Sequence, residues 1–352
     1  MTGRDDGIHS LSTFTIMWRP VSTLLIAAML SASCDSAAPE SRVSRIRQRG
    51  FLACGVFPGI AGFARVDSQG HYTGFDVDIC RAVAAAILGS AERIRYQPVA
   101  TIDLFQRSSD IDIVSRRLTW SLRREGLHVL FGPVTFYDGQ GFLVPGSVKI
   151  DHATELAGLP VCVAEGSEHD VTLTAYFRQH QIALDRVGVA DGAAGGRALA
   201  EGRCQAFSAD VSELASVRSA MENPRGFRIL ADRISQEPLA QLVRQEDIDL
   251  FNVLRWTVFA MIAAEELGVT SANVSEMAAR DDPNIARLLG ASGGNGAALG
   301  LDEAWARHVI ADVGNYGEVF ERNLGMSTPI GMERGLNALW TRGGLLFAPP
   351  LK

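Results

Sequence analysis

GFDVDICRAVAAAI (Gly74–Ile87) opens on a glycine, carries two aspartates near its start and then runs apolar and alanine-rich as far as Gly89. Residues 77–89 read as a helix that ends at Gly89. Gly74 would end the preceding loop, and Asp76 stands where an N-cap belongs. Asp78 adds negative charge to the first turn, which the helix dipole favours. Both aspartates are expected to be structural. Strand-like stretches lie on either side: FLACGVF (51–57) before the helix, RIRYQPV (93–99) after it, then a short helix and DIDIVS (110–115). This β-α-β-α-β order implies a parallel sheet covered by helices on both faces.

The pattern restarts at Ala153, after two turn-rich segments that flank GFLV (141–144). LPVCVA (159–164) reads as a strand and HDVTLTAYFRQHQ (169–181) as a helix. LDRVGVA (184–190), a Gly-broken helix near 191–202, CQAFSAD (204–210), a helix near 211–221 and FRILADR (227–233) follow. EPLAQLVRQ (237–245) reads as a strand leading away from this second α/β unit. The remainder is mostly helical, at 247–267, 271–280, 302–313 and 334–342. WTVFAMIAA (256–264) is apolar but too short to span a bilayer, so it is expected to be a buried core helix. ASGGNGAALG (291–300) lacks the GK[ST] of a phosphate loop, and GAAGG (192–196) fails the dinucleotide spacing.

The 352 residues are 47% hydrophobic and 21% charged, an ordinary globular balance. A net charge of −7 argues against nucleic acid as a partner. Lys149 and Lys352 are the only lysines, so nearly every basic residue is arginine and any single arginine carries little weight. The N-terminus reads as a secretory leader over residues 1–34: Met17-Trp18-Arg19-Pro20, then VSTLLIAAMLSAS, then Cys34. Residues 1–16 fit no leader, which makes Met17 the expected start. Leu30–Cys34 resembles a lipobox with Cys34 as the lipidated residue; ordinary cleavage nearby is the alternative. Four cysteines remain, Cys54 and Cys80 in the first half, Cys162 and Cys204 in the second. An even number in an exported chain suggests disulfides, paired within each half if the halves are separate domains. No CxxC or HxxxH spacing supports a metal site, and no cofactor is expected.

The helix signature 74–87 resembles that of the polar amino-acid class of bacterial solute-binding proteins, the exported receptors of ATP-driven importers. RGFLACGV, GPVTFYDGQGF, GRCQAFSAD, ISQEPLAQLVRQ, VGNYGEVFERNLG and RGLNALW resemble blocks of its general L-amino-acid binding subgroup, in the same order, over about residues 44–350. The resemblance implies an α/β fold of two lobes, each a mainly parallel sheet flanked by helices, joined by two crossing strands. One lobe would hold 42–143 and 236–352, the other 144–235. A ligand would bind in the cleft between them and close it like a hinge. A monomer that hands amino acids to a membrane permease is the implied function, with membrane attachment through the lipid anchor alone.

An α-amino acid needs a fork of donors for its carboxylate and an acceptor for its ammonium; arginine suits the first. By the resemblance, Arg124 holds the carboxylate, Thr119 supplies a hydroxyl, and Asp210 takes the α-amino group, or else caps the helix that follows. Arg123 is expected in solvent, and Arg116 matches an arginine that supports the loop. Phe57, at the end of the first strand, walls the pocket or joins the core. Two places depart from the subgroup. Arg117 stands where small polar residues are usual, and in VCVAEGSEHD (161–170) Ser167 keeps a hydroxyl while Glu168 replaces a threonine. One reading pairs Arg117 with Glu168 across the closed cleft, because an uncompensated buried charge is costly; the other leaves Glu168 in solvent. No Ser-His-Asp order, metal spacing or nucleophile elbow points to an enzyme. An orphan sensor and a dehydratase-like enzyme are the rival functions on the same fold.

Overall fold

The computed structural model describes residues 40–352; the leader and Cys34 lie outside that range. The first sheet begins after α1 (Arg42–Arg49) with β1 (Leu52–Val56), a small hairpin of β2 (Arg65–Val66) and β3 (Tyr72–Thr73), and α2 (Phe75–Leu88). Then come β4 (Ile94–Pro98), α3 (Ile102–Arg107), β5 (Ile113–Thr119), α4 (Leu122–Glu125) and β6 (Val129–Asp138). The second sheet takes β7 (Gln140–Pro145), β8 (Pro160–Ala164), α5 (Glu168–Gln179), β9 (Asp185–Val189), α6 (Gly192–Ala200), β10 (Ala206–Asp210), α7 (Val211–Ser219) and β11 (Phe227–Ile229). β12 (Glu237–Arg244) returns to the first sheet. It leads into α8 (Ile248–Glu266), α9 (Val274–Met277), α10 (Pro283–Leu288), α11 (Asn295–Ala298), α12 (Trp305–Asp312) and α13 (Tyr316–Asn323).

Each sheet has five strands, in the orders β4-β1-β5-β12-β6 and β11-β7-β10-β8-β9. Both are mainly parallel, as expected, and each is made mixed by a single antiparallel strand. β1 runs parallel to β4 and β5, but β12 is antiparallel to β5 and β6. β10 runs parallel to β8 and antiparallel to β7. The antiparallel strands are those that enter from the other lobe. The chain crosses first at Gly139, between β6 and β7, and again between β11 and β12. GFLV lies wholly inside the second sheet, so the first crossing precedes the boundary expected at 143. β6 itself was hidden in a segment that reads as turns, because Gly132 and Pro133 interrupt its apolar run.

α2 is buried along almost its whole length, packing against α8 and α12 in the larger core. Its cap is Gly74, not Asp76. Gly74 sits at φ 135°, and a Cβ there would lie 2.2 Å from the Phe63 carbonyl oxygen. The first helical N–H groups are satisfied by loop carbonyls: Phe75 donates to Gly62 at 2.9 Å and Asp76 to Phe63 at 3.0 Å. The Asp76 carboxylate is thereby free to accept from Ser115 Oγ at 2.9 Å. Asp78 has the structural role expected of it, tying α2 to α13 through Arg322 at 2.9 Å and Asn323 at 2.7 Å.

Cys54–Cys80 joins β1 to α2, and Cys162–Cys204 joins β8 to the approach of β10. The expected buried helix over 256–264 is the C-terminal half of α8. Residues 334–342 form two 3-10 turns, Gly335–Asn337 and Trp340–Arg342, instead of a helix. Gly335 and Gly343 have positive φ there and break the helical run. α1 and α13 were not anticipated, nor was the short reach of α9.

Candidate ligand-binding cleft

β5 runs on to Thr119, past the Ser115 end expected for it, so Arg116 and Arg117 belong to the strand itself. The pairing with β12 slips between Ala240 and Leu242, opposite Ser115–Arg117, and Arg117 takes a left-handed φ of 54° in the bulge. A bulge of this kind re-aims a side chain. The Arg117 guanidinium lies 5.4 Å from the Phe63 ring, donates to Ser212 Oγ at 2.5 Å and sits 3.6 Å from Glu213 Oε2, both on the second lobe. It does not meet Glu168. Glu168, at the start of α5, reaches across to Arg124, with Nη2 and Oε2 3.3 Å apart. The expected ion pair between lobes therefore forms with a different arginine. Arg117 is turned toward α7 by the bulge, whereas Arg124 on α4 faces α5.

Two further contacts join the lobes: Ala61 N–H to Ser216 Oγ at 2.9 Å, and Arg218 to the Ile330 carbonyl at 2.8 Å. Between the lobes lies a cavity of about 900 Å³, whose lining includes Phe57, Arg117, His169, Gly192, Arg197 and Glu213. A smaller hollow of about 340 Å³ adjoins Arg116, Arg123, Arg124 and Glu168.

Of the candidate residues, Phe57 and Arg117 line the larger space and Arg116, Arg124 and Glu168 the smaller, while Thr119, Ser167 and Asp210 line neither. Phe57 is 40% exposed and walls the large cavity. Arg116 lies over its ring at 5.2 Å, and burial lowers the arginine's pKa. Arg124 donates to the Thr119 carbonyl at 3.0 Å, which fixes its head beside Glu168. The Thr119 hydroxyl donates to Glu237 at 2.7 Å. Ser167 is the N-cap of α5: it accepts from Asp170 N–H and donates to the Ala164 carbonyl. Arg123 is exposed, in line with expectation.

Asp210 stands at the N-cap position of α7 without making a side-chain cap bond. Asp138, at the first crossing, does that work instead, accepting from Ser212 N–H at 3.3 Å and from Gly139 N–H at 2.9 Å. Asp210 faces His169, with Oδ1 and Nε2 3.0 Å apart. Burial, followed by the Asp210 charge, pushes Asp138 up to about 6, against the pull of the Ser212 hydrogen bond and Arg117. Burial likewise raises Asp76 to about 6, opposed by Ser115, Arg117 and Arg116. Burial alone would lower the His169 pKa. The hydrogen bond to Asp210 and the charges of Asp210, Glu213 and Glu237 outweigh it, so the net shift is upward. Asp138, His169, Glu213 and Arg197 were not singled out from sequence. Asp138 lies in a segment that reads as turns, and the other three are single polar residues within the helices expected near 169–181, 191–202 and 211–221, with no motif around them.

A mixed-sheet lobe on either side of a charged, partly apolar cleft defines a two-lobed solute receptor. The sequence profile of the bacterial extracellular solute-binding proteins, family 3, matches residues 52–273. The chain belongs to this family, whose members bind solutes outside the cytoplasm. It is 41% identical over 332 residues to the general L-amino acid-binding periplasmic protein AapJ of Rhizobium johnstonii, covering 93% of this chain and 97% of the relative. It is 42% identical over 327 residues to the glutamate/glutamine/aspartate/asparagine-binding protein BztA of Rhodobacter capsulatus, covering 92% and 97%. Among solved structures, an ABC transporter periplasmic binding protein from Brucella ovis with glutathione bound is 40% identical, with a TM-score of 0.82 over 89% of this chain and all of that one.

Proposed function

We propose that this protein captures L-amino acids, or compounds that carry an amino-acid head, in the cleft between its lobes and delivers them to the permease of an ABC importer. The observation that carries the reading is the placement of opposite charges on opposite walls. Arg117 and Arg124 project from the first lobe, and Asp210, Glu213 and Glu168 from the second. A zwitterion that bridges them makes closure depend on the ligand. In this reading Arg124 takes the carboxylate, with Thr119 beside it, and Asp210 takes the ammonium. Ser167 holds α5 in place, Arg116 steadies Phe57 as an apolar wall, and Arg117 and Glu168 set selectivity.

The names of AapJ and BztA support the ligand class. The 38% identical relative from Escherichia coli, named a putative amino-acid ABC transporter-binding protein, supports the permease partner. Glutathione in the Brucella relative extends the ligand range worth testing to peptides. The same proposal takes residues 1–34 as a leader, Cys34 as the lipid-bearing end of the mature chain, and the working form as a monomer.

Thermal unfolding of the ligand-stripped protein against the common L-amino acids and small γ-glutamyl peptides tests the reading. A ligand at about 100 times its Kd adds about 2.7 kcal/mol, which raises Tm by roughly a few degrees in a chain of this size. Shifts with amino acids support the proposal; a flat panel rejects it.

A further inference from the structure

We propose that Arg197 forms a second anion subsite in the cleft, and that the cleft takes an extended, peptide-like ligand with an amino-acid head and a distal carboxylate. The inference rests on the amino-acid reading of the cleft given above. The first observation is room. At about 900 Å³ the cavity lies near the top of the roughly 300–1,000 Å³ that suits drug-sized ligands. Arg124, Thr119 and Asp210, the residues proposed for the head, lie outside its lining, so a single amino acid held by them leaves most of it to water.

The second observation is the character of one wall. Gly192, Ala193, Gly196, Arg197 and Ala200 all line the cavity from α6. Their spacing is that of one helical face. Gly196 is set by packing, since a Cβ there would lie 2.5 Å from Val217. The result is a low, smooth wall from which one long side chain rises, and that side chain is a cation.

The third observation is how the other charges are engaged. Arg117 is held by Ser212 and Glu213, and His169 by Asp210. Asp191 caps α6 through Ala194 N–H, and Glu222, on the same lining, is exposed and, like Arg197, makes no ion pair or side-chain hydrogen bond among the described residues. Arg197 is exposed and forms no ion pair or side-chain hydrogen bond among the described residues. A guanidinium in that setting suits a carboxylate, which it can grip with two parallel hydrogen bonds.

The test is calorimetric titration of a γ-glutamyl tripeptide and of the same tripeptide with its C-terminal carboxylate amidated. Wild type, Arg197→Gln and Arg197→Glu are compared, with a single amino acid as the third ligand. Wild type is expected to favour the free acid over the amide by roughly tenfold or more, as a charge-assisted hydrogen bond implies. Arg197→Gln should erase that preference and Arg197→Glu should reverse it, with single amino-acid binding unchanged in both. No preference in wild type, or one that survives in Arg197→Gln, overturns the subsite. Binding of amino acids without the tripeptide overturns this inference alone. Binding of neither overturns the amino-acid reading as well.

Discussion

At the scale of single residues, the Arg124–Glu168 contact sets a measurable competition. Glu168 occupies one side of the guanidinium that the proposed ligand carboxylate needs. Its side chain is 80% exposed, so the pair is worth only about 0.2–1 kcal/mol. Glu168→Gln should therefore tighten amino-acid binding by up to about fivefold in calorimetric titration; weaker binding would mean that Glu168 assists the ligand. Asp138 offers a second handle. Its pKa in the fold, about 6, lies above the ordinary value of 3.8. The folded state thus holds that proton more tightly than the unfolded chain does. The stabilisation is full below about pH 4 and is lost as pH rises through about 6. Asp138→Asn keeps an oxygen to accept from Ser212, so its stability relative to wild type should climb between pH 4 and pH 7 in urea unfolding. A difference that stays flat with pH would contradict the burial argument. His169 works in the same direction, its contribution fading as pH rises past its raised pKa.

At the scale of elements, the start of α2 depends on a backbone that only glycine fits. Gly74→Ala would put a Cβ against the Phe63 carbonyl at a φ of 135°. The cost is expected to be about 3 kcal/mol or more, from strain and overpacking together. Gly50, the left-handed C-cap of α1, has open space around it, and Gly50→Ala should cost only about 1–2 kcal/mol. Denaturant unfolding of the two variants separates a packing effect from a purely conformational one. The disulfides enclose spans of 26 and 42 residues, one in each lobe. The chain-entropy argument gives about 3–4 kcal/mol for each, so reductant should lower Tm markedly.

At this scale the sequence was largely readable. The apolar periodicity of 74–89 located α2, and the runs at 51–57 and 159–164 located the central strands. β6 was not readable, since glycine and proline interrupt it and its pairing with β12 is set by the far end of the chain. Asp76 could not be told from a cap because the carbonyls that displace it lie in a separate loop.

At the scale of the whole molecule, function lies in what the two crossings bring together. Asp138 and Gly139 on one crossing, and Glu237 just beyond the other, stand beside the residues meant to hold a ligand: Asp138 caps α7, and Glu237 accepts from Thr119. Hinge and site are thus built from adjoining groups, and ligand capture and closure are expected to be one event. The sequence marked the two lobes and Arg116, Arg117, Arg124, Glu168 and Asp210, but not Asp138, His169, Arg197 or Glu213. It did not say which arginine meets which acid, because that choice is made by a bulge in β5 and by the approach of α5 and α7 from the other lobe.

In the proposed mode of binding, one small zwitterion is gripped by both lobes at once. The most direct test of that mode is calorimetric titration of the best amino-acid ligand into wild type, Arg124→Gln and Asp210→Asn. Each variant is predicted to bind at least about tenfold more weakly, as loss of a charge-assisted hydrogen bond on either wall requires. Undiminished affinity in either variant would place the ligand on one lobe alone and contradict the account.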